Sequence, residues 1–407
     1  MCKACYLFPA VLFVLGTFPI EARSKQEKPW VGAWSCSPQK VEIQNLPPSP
    51  GLLGNILRQV VHLTVNGDEL RLRISNEFGD SPLTLESIHI ALHQTEDIIL
   101  PESDRPILFN GKLSVTIPSG AFLYSDPLQF TVQALSDLAV TIKATEVPKD
   151  ITGHPGSRET SYLAVDGDVS AVSLSNPVKT DHWYLLDGVE VRGTRARSAV
   201  VTLGDSITDG RGSTTNGNTR WPDYLARRFV ANKKLAQIGV LNQGIGGNRI
   251  LRDGLGPNAL SRFDRDVFGQ AAVRWLIVFE GVNDIGGTRA ETDPVVQERI
   301  VDELIQAYQQ FIVRAHTHSI WAYCATITPF GHSFYFNSSA ETSRQRINQW
   351  VRTSGQCDAV LDFDEAARNP AKPDELDSAF DSGDHLHLNS DGYRKLASSI
   401  DLTLFSR

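Results

Sequence analysis

From about Ser198 onward, strand-like segments alternate with helical segments, and this alternation constrains the fold more than any other feature of the chain. The strand-like segments are short, apolar and rich in β-branched residues, whereas the helical ones repeat apolar residues at helical spacing. We predict strands at 200–203, 238–242, 275–279, 320–325 and 359–363, and helices at 221–234, 295–318, 340–354 and 391–404. Such alternation indicates an α/β fold, a parallel sheet covered by helices on both faces.

The preceding segment, residues 30–187, contains repeated short strand-like runs without helical periodicity between them. Short strands separated by Pro and Gly are typical of β-sandwiches and jelly rolls. Since the chain has 407 residues, more than one ordinary core accommodates, two domains are expected. We therefore predict an all-β, sandwich-like or jelly-roll-like domain at 30–187 and an α/β domain at 198–407.

Two runs within the all-β segment, 60–66 and 70–75, are joined through a Gly-Asp pair. Such a pair between strand-like runs favours a hairpin. In the second run, aliphatic residues alternate with arginines, and side chains on a strand alternate between its two faces. The residues expected to face the core are Leu70, Leu72 and Ile74.

The first 22 residues have the pattern of a secretory signal peptide. Lys3 supplies a positive charge, residues 6–19 are almost wholly apolar, and Ala22 is a small residue before a possible cleavage point. The apolar run is short for a membrane span. We expect cleavage and a secreted or periplasmic protein without stable membrane insertion. An uncut anchor is the alternative, partly because Cys2 and Cys5 lie near the terminus.

The remaining cysteines are Cys36, Cys324 and Cys357, so at most one disulfide can form. Cys324 and Cys357 fall in one predicted domain and could pair in an oxidising compartment. No Cys-x-x-Cys spacing occurs after residue 22, and a structural zinc site is therefore not expected.

Composition narrows the classes of function. Hydrophobic residues make up 41% and charged residues 21% of the chain, as in globular proteins. The formal net charge is -8, so there is no excess of Lys and Arg to neutralise phosphates. We do not expect a nucleic-acid partner.

Four segments of the α/β part carry groups suited to acyl transfer. They contain Ser206, the glycines around Gly247, Asn283, and the pair Asp384 and His387. A serine hydroxyl needs a base such as histidine, and an orienting carboxylate fixes the imidazole. Glycine N–H groups and an asparagine amide can stabilise the oxyanion of the intermediate. This chemistry requires no cofactor.

Each segment also has a simpler interpretation. The glycines could form only a tight turn, and Gly244 or Gly246 could replace Gly247 as the oxyanion donor. Asp381 could orient the histidine in place of Asp384. Asp384, His385 and His387 could instead form a metal cluster, but no third His or Cys ligand lies nearby. The occurrence of all four segments in order, each at a strand end or near the last helix, favours the acyl-transfer interpretation.

These motifs resemble the four conserved blocks of the SGNH, or GDSL, hydrolases over residues 198–407. They comprise Gly204-Asp205-Ser206, the turn at Gly247, Gly281-Val282-Asn283-Asp284 and Asp384-His385-Leu386-His387. The resemblance implies a flavodoxin-like α/β/α sandwich. It also implies that Ser206 is the nucleophile, His387 the base and Asp384 its orienting acid. The implied oxyanion donors are the N–H groups of Ser206 and Gly247 and the amide of Asn283.

The whole-chain layout resembles secreted GDSL esterases grouped with xylan-related arylesterases and acetylesterases. It rests on residues 60–92 and on the segments 208–213 and 220–222. The implied substrates are short-chain, acetyl esters of carbohydrates, either small molecules or polysaccharides. The alternatives are a lipase or lysophospholipase, and a carbohydrate-binding protein that has kept the fold without the chemistry.

Overall fold

The computed structural model of the protein describes residues 28–193, 197–288 and 293–406. The predicted signal peptide at 1–22 lies outside these residues, and with it the expectation of a secreted or periplasmic protein. Among the described helices, none combines the length and apolar character that a membrane span requires.

The N-terminal part is mostly β, as predicted. Its strands are, in chain order, β1 (Val31–Ser35), β2 (Gln39–Lys40), β3 (Ile56–His62), β4 (Gly67–Ser75), β5 (Leu83–Thr95), β6 (Ile98–Ile99), β7 (Arg105–Ile107), β8 (Val115–Ile117), β9 (Phe122–Tyr124), β10 (Leu128–Val132), β11 (Asp137–Glu146), β12 (Thr152–His154), β13 (Ser161–Ala164), β14 (Val178–Thr180), β15 (Trp183–Tyr184) and β16 (Leu186–Arg192).

These strands form two larger sheets and one small one. The first sheet has the order β1-β16-β4-β10, with β9 also paired to β4. The second has the order β14-β13-β3-β11-β5-β6, with β7 and β8 also paired to β5, and the small sheet has the order β15-β12-β2. Strand β16 continues to Arg192, past the predicted domain boundary at 187.

The predicted hairpin between residues 60–66 and 70–75 is wrong. Strand β3 pairs with β11 and β13, whereas β4 pairs with β16, β10 and β9, so the two strands belong to different sheets. The connecting residues pass between the sheets: the Leu63 N–H donates to Ser136 and the Thr64 N–H to Ala33. Leu63 and Val65 are fully buried there. The alternation in β4 was interpreted correctly, because Leu70, Leu72 and Ile74 are buried.

The C-terminal part contains the predicted parallel sheet. Its strands are β17 (Ser198–Gly204), β18 (Ile238–Gly244), β19 (Val273–Phe279), β20 (Trp321–Ala325) and β21 (Ala359–Leu361), in the order β18-β17-β19-β20-β21. A short antiparallel ribbon consists of β22 (Arg368–Asn369) and β23 (Lys372–Leu376).

The helices of this part alternate with the strands. They are α1 (Ser206–Asp209), α2 (Trp221–Ala231), α3 (Ala259–Phe263), α4 (Val282–Gly287), α5 (Pro294–Thr317), α6 (Ser338–Thr353), α7 (Phe363–Ala367) and α8 (Ser390–Ser399). The predicted strand 359–363 ends early because Asp362 caps α7 by accepting from the Glu365 N–H. The last predicted helix ends at Ser399, and a 3-10 turn follows at Leu402–Ser406.

The two parts share one apolar core that runs through both of them. Strand β1 lies against β18, and between them the Thr64 hydroxyl donates to the Ala33 carbonyl of β1 at 2.7 Å and accepts from the Val240 N–H of β18 at 2.9 Å. Glycine is required on both sides of this contact. A Cβ on Gly32 would lie 2.5 Å from a methyl group of Leu241, and one on Gly239 would lie 2.1 Å from the Gly32 oxygen. The β part is therefore packed directly against the sheet that carries the candidate site.

Candidate active site

The four predicted segments meet at the carboxyl end of the parallel sheet. Strand β17 has β18 on one side and β19 on the other, so the order of the strands reverses at β17. A crevice at such a reversal of strand order is where open α/β sheets bind ligands. The loops after β17, β18 and β19 place Ser206, Gly247 and Asn283 around one cavity.

Ser206 is the first residue of the one-turn helix α1. Asp205 caps this helix, because its side chain accepts from the Ile207 N–H at 2.9 Å. Gly204 permits the sharp exit from β17, since a Cβ there would lie 2.2 Å from the Thr208 hydroxyl. Only 6% of Ser206 is exposed. The turn thus presents the hydroxyl at the floor of a cavity rather than on the open surface.

Ser206, His387 and Asp384 form a continuous hydrogen-bonded chain. Ser206 Oγ lies 2.8 Å from His387 Nε2, and His387 Nδ1 lies 2.7 Å from Asp384 Oδ2. The second carboxylate oxygen, Asp384 Oδ1, accepts from the His387 and Leu386 N–H groups at 2.9 and 3.1 Å. These bonds hold the carboxylate and the imidazole in one orientation.

The surroundings of Asp384 favour its charged form. Partial burial tends to raise the pKa of Asp384, but the hydrogen bonds from the His387 side chain and backbone outweigh it and lower that pKa well below its usual value. The alternative carboxylate, Asp381, does not contact His387. Its Oδ2 lies 2.6 Å from Nδ1 of His385 instead. The geometry therefore brings Asp384, and not Asp381, to the histidine beside Ser206.

The amide of Asn283 is fixed from both ends. Its Nδ2 donates to the Asn248 carbonyl at 2.8 Å, and its Oδ1 accepts from the Tyr335 hydroxyl at 2.9 Å. The amide nitrogen carries a second hydrogen, and Asn283 lines the cavity together with Ser206. The neighbouring Asp284 accepts from the Ile250 N–H at 2.8 Å and so ties the loop after β18 to α4.

The glycines after β18 occupy distinct places. The Gly244 N–H donates to Asn242 Oδ1 at 2.9 Å, so Gly244 is not available as an oxyanion donor. Gly246 and Gly247 both line the cavity. Gly247 has a φ of 72°, in the left-handed region that favours glycine. In the described part of the chain, neither the Ser206 nor the Gly247 N–H has another hydrogen-bond acceptor.

Sequence reasoning missed a buried arginine beneath the cavity. Arg262 donates to the carbonyl of Gly204, the last residue of β17, at 3.0 Å. It also donates to the carbonyl of Gln243, the last residue but one of β18, at 2.7 Å. It also donates to Asn248 at 3.0 Å and pairs with Asp266 at 2.8 Å. Nothing in the sequence indicated that Arg262 is buried, because a lone arginine on a short helix usually faces solvent.

Carboxyl groups also lie buried beneath the site. Burial raises the pKa of Glu280 and of Asp205, and burial raises the pKa of Asp284 to about 6 although it accepts two backbone hydrogen bonds. Glu280 lies 3.5 Å from Arg262. The charge of Arg262 thus partly offsets the cluster of carboxyl groups under the loops that carry Ser206, Gly247 and Asn283.

The β part forms one wall of the cavity. The cavity has a volume of about 440 Å³. Asp209, on the same helix as Ser206, lies 2.8 Å from His154 of β12, and both are buried. The residues that the β part contributes to the lining are Gln39, Glu42, Gln44, Asn45, Pro155, Gly156, Arg158 and His182.

The histidines and aspartates of the last loop bond to each other in pairs. Asp384 and His387 bond to each other, and His385 bonds to Asp381. Within the ranges that the structure describes, no group of three or more His, Cys, Asp or Glu side chains is arranged to hold a metal ion.

Comparison with known proteins gives a family for the C-terminal part. The model of the GDSL-like Lipase/Acylhydrolase family matches residues 202–395. No curated protein is similar enough to match the chain.

Solved structures are also similar to this chain. A carbohydrate acetylesterase family member from Sinorhizobium meliloti has 16% identity and a TM-score of 0.38, over 51% of this chain and 98% of its own. The acetyl xylan esterase AlAXEase has 22% identity and a TM-score of 0.36, over 51% of this chain and 98% of its own.

Proposed function

Because residues 202–395 are a domain of the GDSL-like lipase/acylhydrolase family, the protein is a carboxylic ester hydrolase, and we propose that Ser206, His387 and Asp384 are its catalytic residues. The observation that carries this proposal is the chain of hydrogen bonds from Ser206 Oγ through His387 to Asp384, at 2.8 and 2.7 Å. A nucleophile, a base and an orienting acid in this order suffice for acyl transfer.

In the first half of the reaction, Ser206 Oγ attacks the ester carbonyl carbon while His387 Nε2 accepts the hydroxyl proton. The bond between the carbonyl carbon and the alcohol oxygen then breaks, and His387 returns the proton to the departing alcohol. Asp384 stays ionised throughout and stabilises the imidazolium that forms, in keeping with its lowered pKa. The product is an acyl-enzyme on Ser206.

The oxyanion of the tetrahedral intermediate would be held by the Ser206 and Gly247 N–H groups and by the Asn283 amide. Donors fixed before the reaction cost no reorganisation when the charge develops. The hydrogen bonds from Asn283 to Asn248 and from Tyr335 to Asn283 provide that fixation. The N–H of Gly246 borders the same space and is the alternative donor.

In the second half, a water molecule attacks the acyl carbon while His387 accepts one of its protons. The bond to Ser206 Oγ breaks, the proton passes to Ser206, and the carboxylic acid leaves. Since both halves use the same groups, no cofactor is needed.

We further propose that the substrates are short-chain, acetyl esters of carbohydrates. The support is the lining of the cavity, in which polar side chains such as Gln39, Gln44 and His182 outnumber large apolar ones. Hydroxyl-rich alcohols need such donors and acceptors. The large apolar residues of the lining are Leu255, Phe334, Tyr335 and Leu386. These four residues offer little of the apolar surface that the long chain of a lipase or lysophospholipase substrate would need.

The compartment and the architecture belong to the proposal as well. A disulfide joins Cys324 and Cys357, which supports a secreted or periplasmic protein because disulfides persist in oxidising environments. The order of the parallel strands supports a flavodoxin-like α/β/α sandwich over 198–407. The two antiparallel sheets that share a core support a β-sandwich or jelly-roll domain over 30–187.

The test is hydrolysis of 4-nitrophenyl acetate, butyrate and octanoate by the wild type, by Ser206→Ala and by the control Ser398→Ala, an exposed serine of α8. We expect activity that falls with acyl length, its loss in Ser206→Ala, and its retention in Ser398→Ala. Labelling by an organophosphonate ester probe should follow the same pattern, whereas a non-catalytic binding protein would not be labelled. Activity surviving in folded Ser206→Ala would overturn the assignment of the nucleophile, and a rising rate with acyl length would favour the lipase alternative.

A further inference from the structure

Two arginines border the cavity that contains Ser206 and His387. Arg158 comes from the β part, and Arg211 comes from the loop after α1. We propose that these arginines bind a carboxylate on the alcohol part of the substrate, so that the enzyme prefers esters of acidic alcohols. This inference rests on the proposed function and specifies its substrate class.

Arg158 has no counterion in the free protein. In the described ranges of the chain, no carboxylate lies within 4.0 Å of its guanidinium, and its Nε is buried without a hydrogen-bond partner. A guanidinium that is half removed from water and lacks partners is unfavourable by itself. An anion that enters the cavity would supply the missing partner.

The carboxylates on the cavity wall already have partners. Glu42 accepts hydrogen bonds from Gln39 and Asn45 at 2.5 and 3.0 Å. Asp209 is bound through Oδ1 to His154, and its Oδ2 is buried without a hydrogen-bond partner. Because these acids are engaged elsewhere, the positive charge of Arg158 remains available to a ligand.

The backbone holds Arg158 in place. Its φ is 49°, an uncommon value for a residue other than glycine. The Arg158 carbonyl accepts from the Asn216 N–H at 3.0 Å, and the Ser157 carbonyl accepts from Arg220. Both donors belong to the C-terminal part, so the loop that carries Arg158 is anchored across the cavity. A non-glycine residue in the left-handed region, held by its surroundings, is a feature of ligand-binding sites.

Arg211 lies beside the acid that orients His387. Arg211 Nε is 4.0 Å from Asp384, the partner of His387, and the Arg211 carbonyl accepts from the Tyr393 hydroxyl. His387 protonates the departing alcohol, whereas the carbonyl oxygen faces Gly247 and Asn283. Because Arg211 lies beside the acid–base pair and shares the cavity with Arg158, we place both arginines at the departing alcohol.

A guanidinium fork fits a carboxylate, and such charge-assisted pairs are stronger than neutral hydrogen bonds. Loss of one of them is expected to lower kcat/KM for an acidic ester about 10- to 100-fold relative to a neutral ester.

The test uses a matched pair of acetyl esters, 4-acetoxybenzoate and 4-acetoxybenzamide, which differ only in the charge of the alcohol part. The readout is the ratio of their kcat/KM values in the wild type, Arg158→Gln and Arg158→Lys. The control is Arg105→Gln, an exposed arginine of β7. We expect the ratio to fall about 10- to 100-fold in Arg158→Gln, to fall less in Arg158→Lys, and to stay constant in the control.

A second measurement needs only the wild type and therefore does not depend on the folding of a variant. The acidic product 4-hydroxybenzoate should inhibit hydrolysis of the neutral ester at least 10-fold more strongly than 4-hydroxybenzamide. Equal inhibition, or a ratio unchanged in folded Arg158→Gln, would overturn the anion site while leaving the esterase function intact. An effect of Arg158→Gln confined to monophenyl adipate, whose carboxylate lies on the acyl side, would overturn its placement beside the alcohol. Absence of hydrolysis of either acetyl ester by the wild type would instead overturn the proposed function.

Discussion

His154 Nε2 lies 2.8 Å from Asp209 Oδ1, and this contact joins the β part to the short helix that begins with Ser206. His154 Nδ1 lies 2.9 Å from the Ser37 carbonyl, which can only accept, so Nδ1 carries a proton. Nε2 must then either donate to an ionised Asp209 or accept from a protonated one. In both arrangements the pair holds one shared proton between two buried side chains.

His154→Ala should destabilise the protein by about 3–5 kcal/mol, because it leaves Asp209 buried without its partner. Asp209→Asn should cost less, since an amide can donate to a neutral His154. Urea unfolding at fixed pH measures both changes. Equal losses in the two variants would contradict the shared-proton description.

Tyr335→Phe should lower kcat about 10-fold and leave KM nearly unchanged. The hydroxyl of Tyr335 fixes the Asn283 amide by donating to its oxygen at 2.9 Å. Asn283→Ala removes the amide altogether and should cost about 100- to 1000-fold in kcat. Tyr224→Phe is the matched control, because that tyrosine lies on α2 away from the cavity. An effect of Tyr335→Phe on KM alone would indicate substrate contact rather than orientation of Asn283.

Arg262→Lys should destabilise the protein by about 3–5 kcal/mol even though it retains the charge. One ammonium group cannot reach the Gly204 and Gln243 carbonyls, Asn248 and Asp266 together, as the guanidinium does. The free energy of unfolding in urea measures the loss. Arg299→Lys, whose side chain is 64% exposed, should change stability little. A comparably small change in Arg262→Lys would show that the strand ends do not depend on this arginine.

Glu159 should make stability depend on pH. Burial raises the pKa of Glu159 from 4.5 to about 8, although the charge of Arg220 opposes the shift. Between these values the folded protein holds a proton that the unfolded chain has lost. The stability that this bound proton contributes is therefore fully present below pH 4.5. It is lost as the pH rises from there through about 8, at up to about 1.4 kcal/mol per pH unit.

Glu159→Gln should remove that part of the slope. Unfolding free energies at pH 5.5, 7 and 8.5 test this, with the exposed Glu102→Gln as control. An identical slope in the wild type and Glu159→Gln would mean that Glu159 ionises normally in the folded protein.

The disulfide between Cys324 and Cys357 closes a loop with a sequence separation of 33. For a loop of this length, the chain-entropy model gives a stabilisation of about 3–4 kcal/mol. The double variant Cys324→Ala, Cys357→Ala should unfold at correspondingly lower denaturant and should no longer respond to dithiothreitol. A wild type whose stability is the same with and without the reductant would contradict the bond or its contribution. Cys36 is buried and free, so it offers no alternative partner on the surface.

Local patterns predicted much of the α/β part. The runs that begin at Ile238 and Val273 were recognised within a few residues because β-branched strands and amphipathic helices are properties of neighbouring residues. The predicted ends of the strands and helices were less accurate than their positions. Helix α8 begins at Ser390, one residue before the predicted start, because the Asn389 side chain turns back to cap the backbone. The pairing of β3 and β4 was wrong because the Gly-Asp turn says nothing about where Leu63 and Val65 are buried.

The sequence by itself determined the order of strands and helices, the glycine-rich turns and the presence of Ser206, Asn283, Asp384 and His387. The tertiary structure decided that these groups, up to 181 positions apart in the chain, meet in one cavity. It alone decided that Arg262 clamps the strand ends and that the β part supplies Arg158 and His154 to the site. The reason is that burial and hydrogen bonding between distant segments depend on how whole sheets pack, which no local pattern of residues encodes.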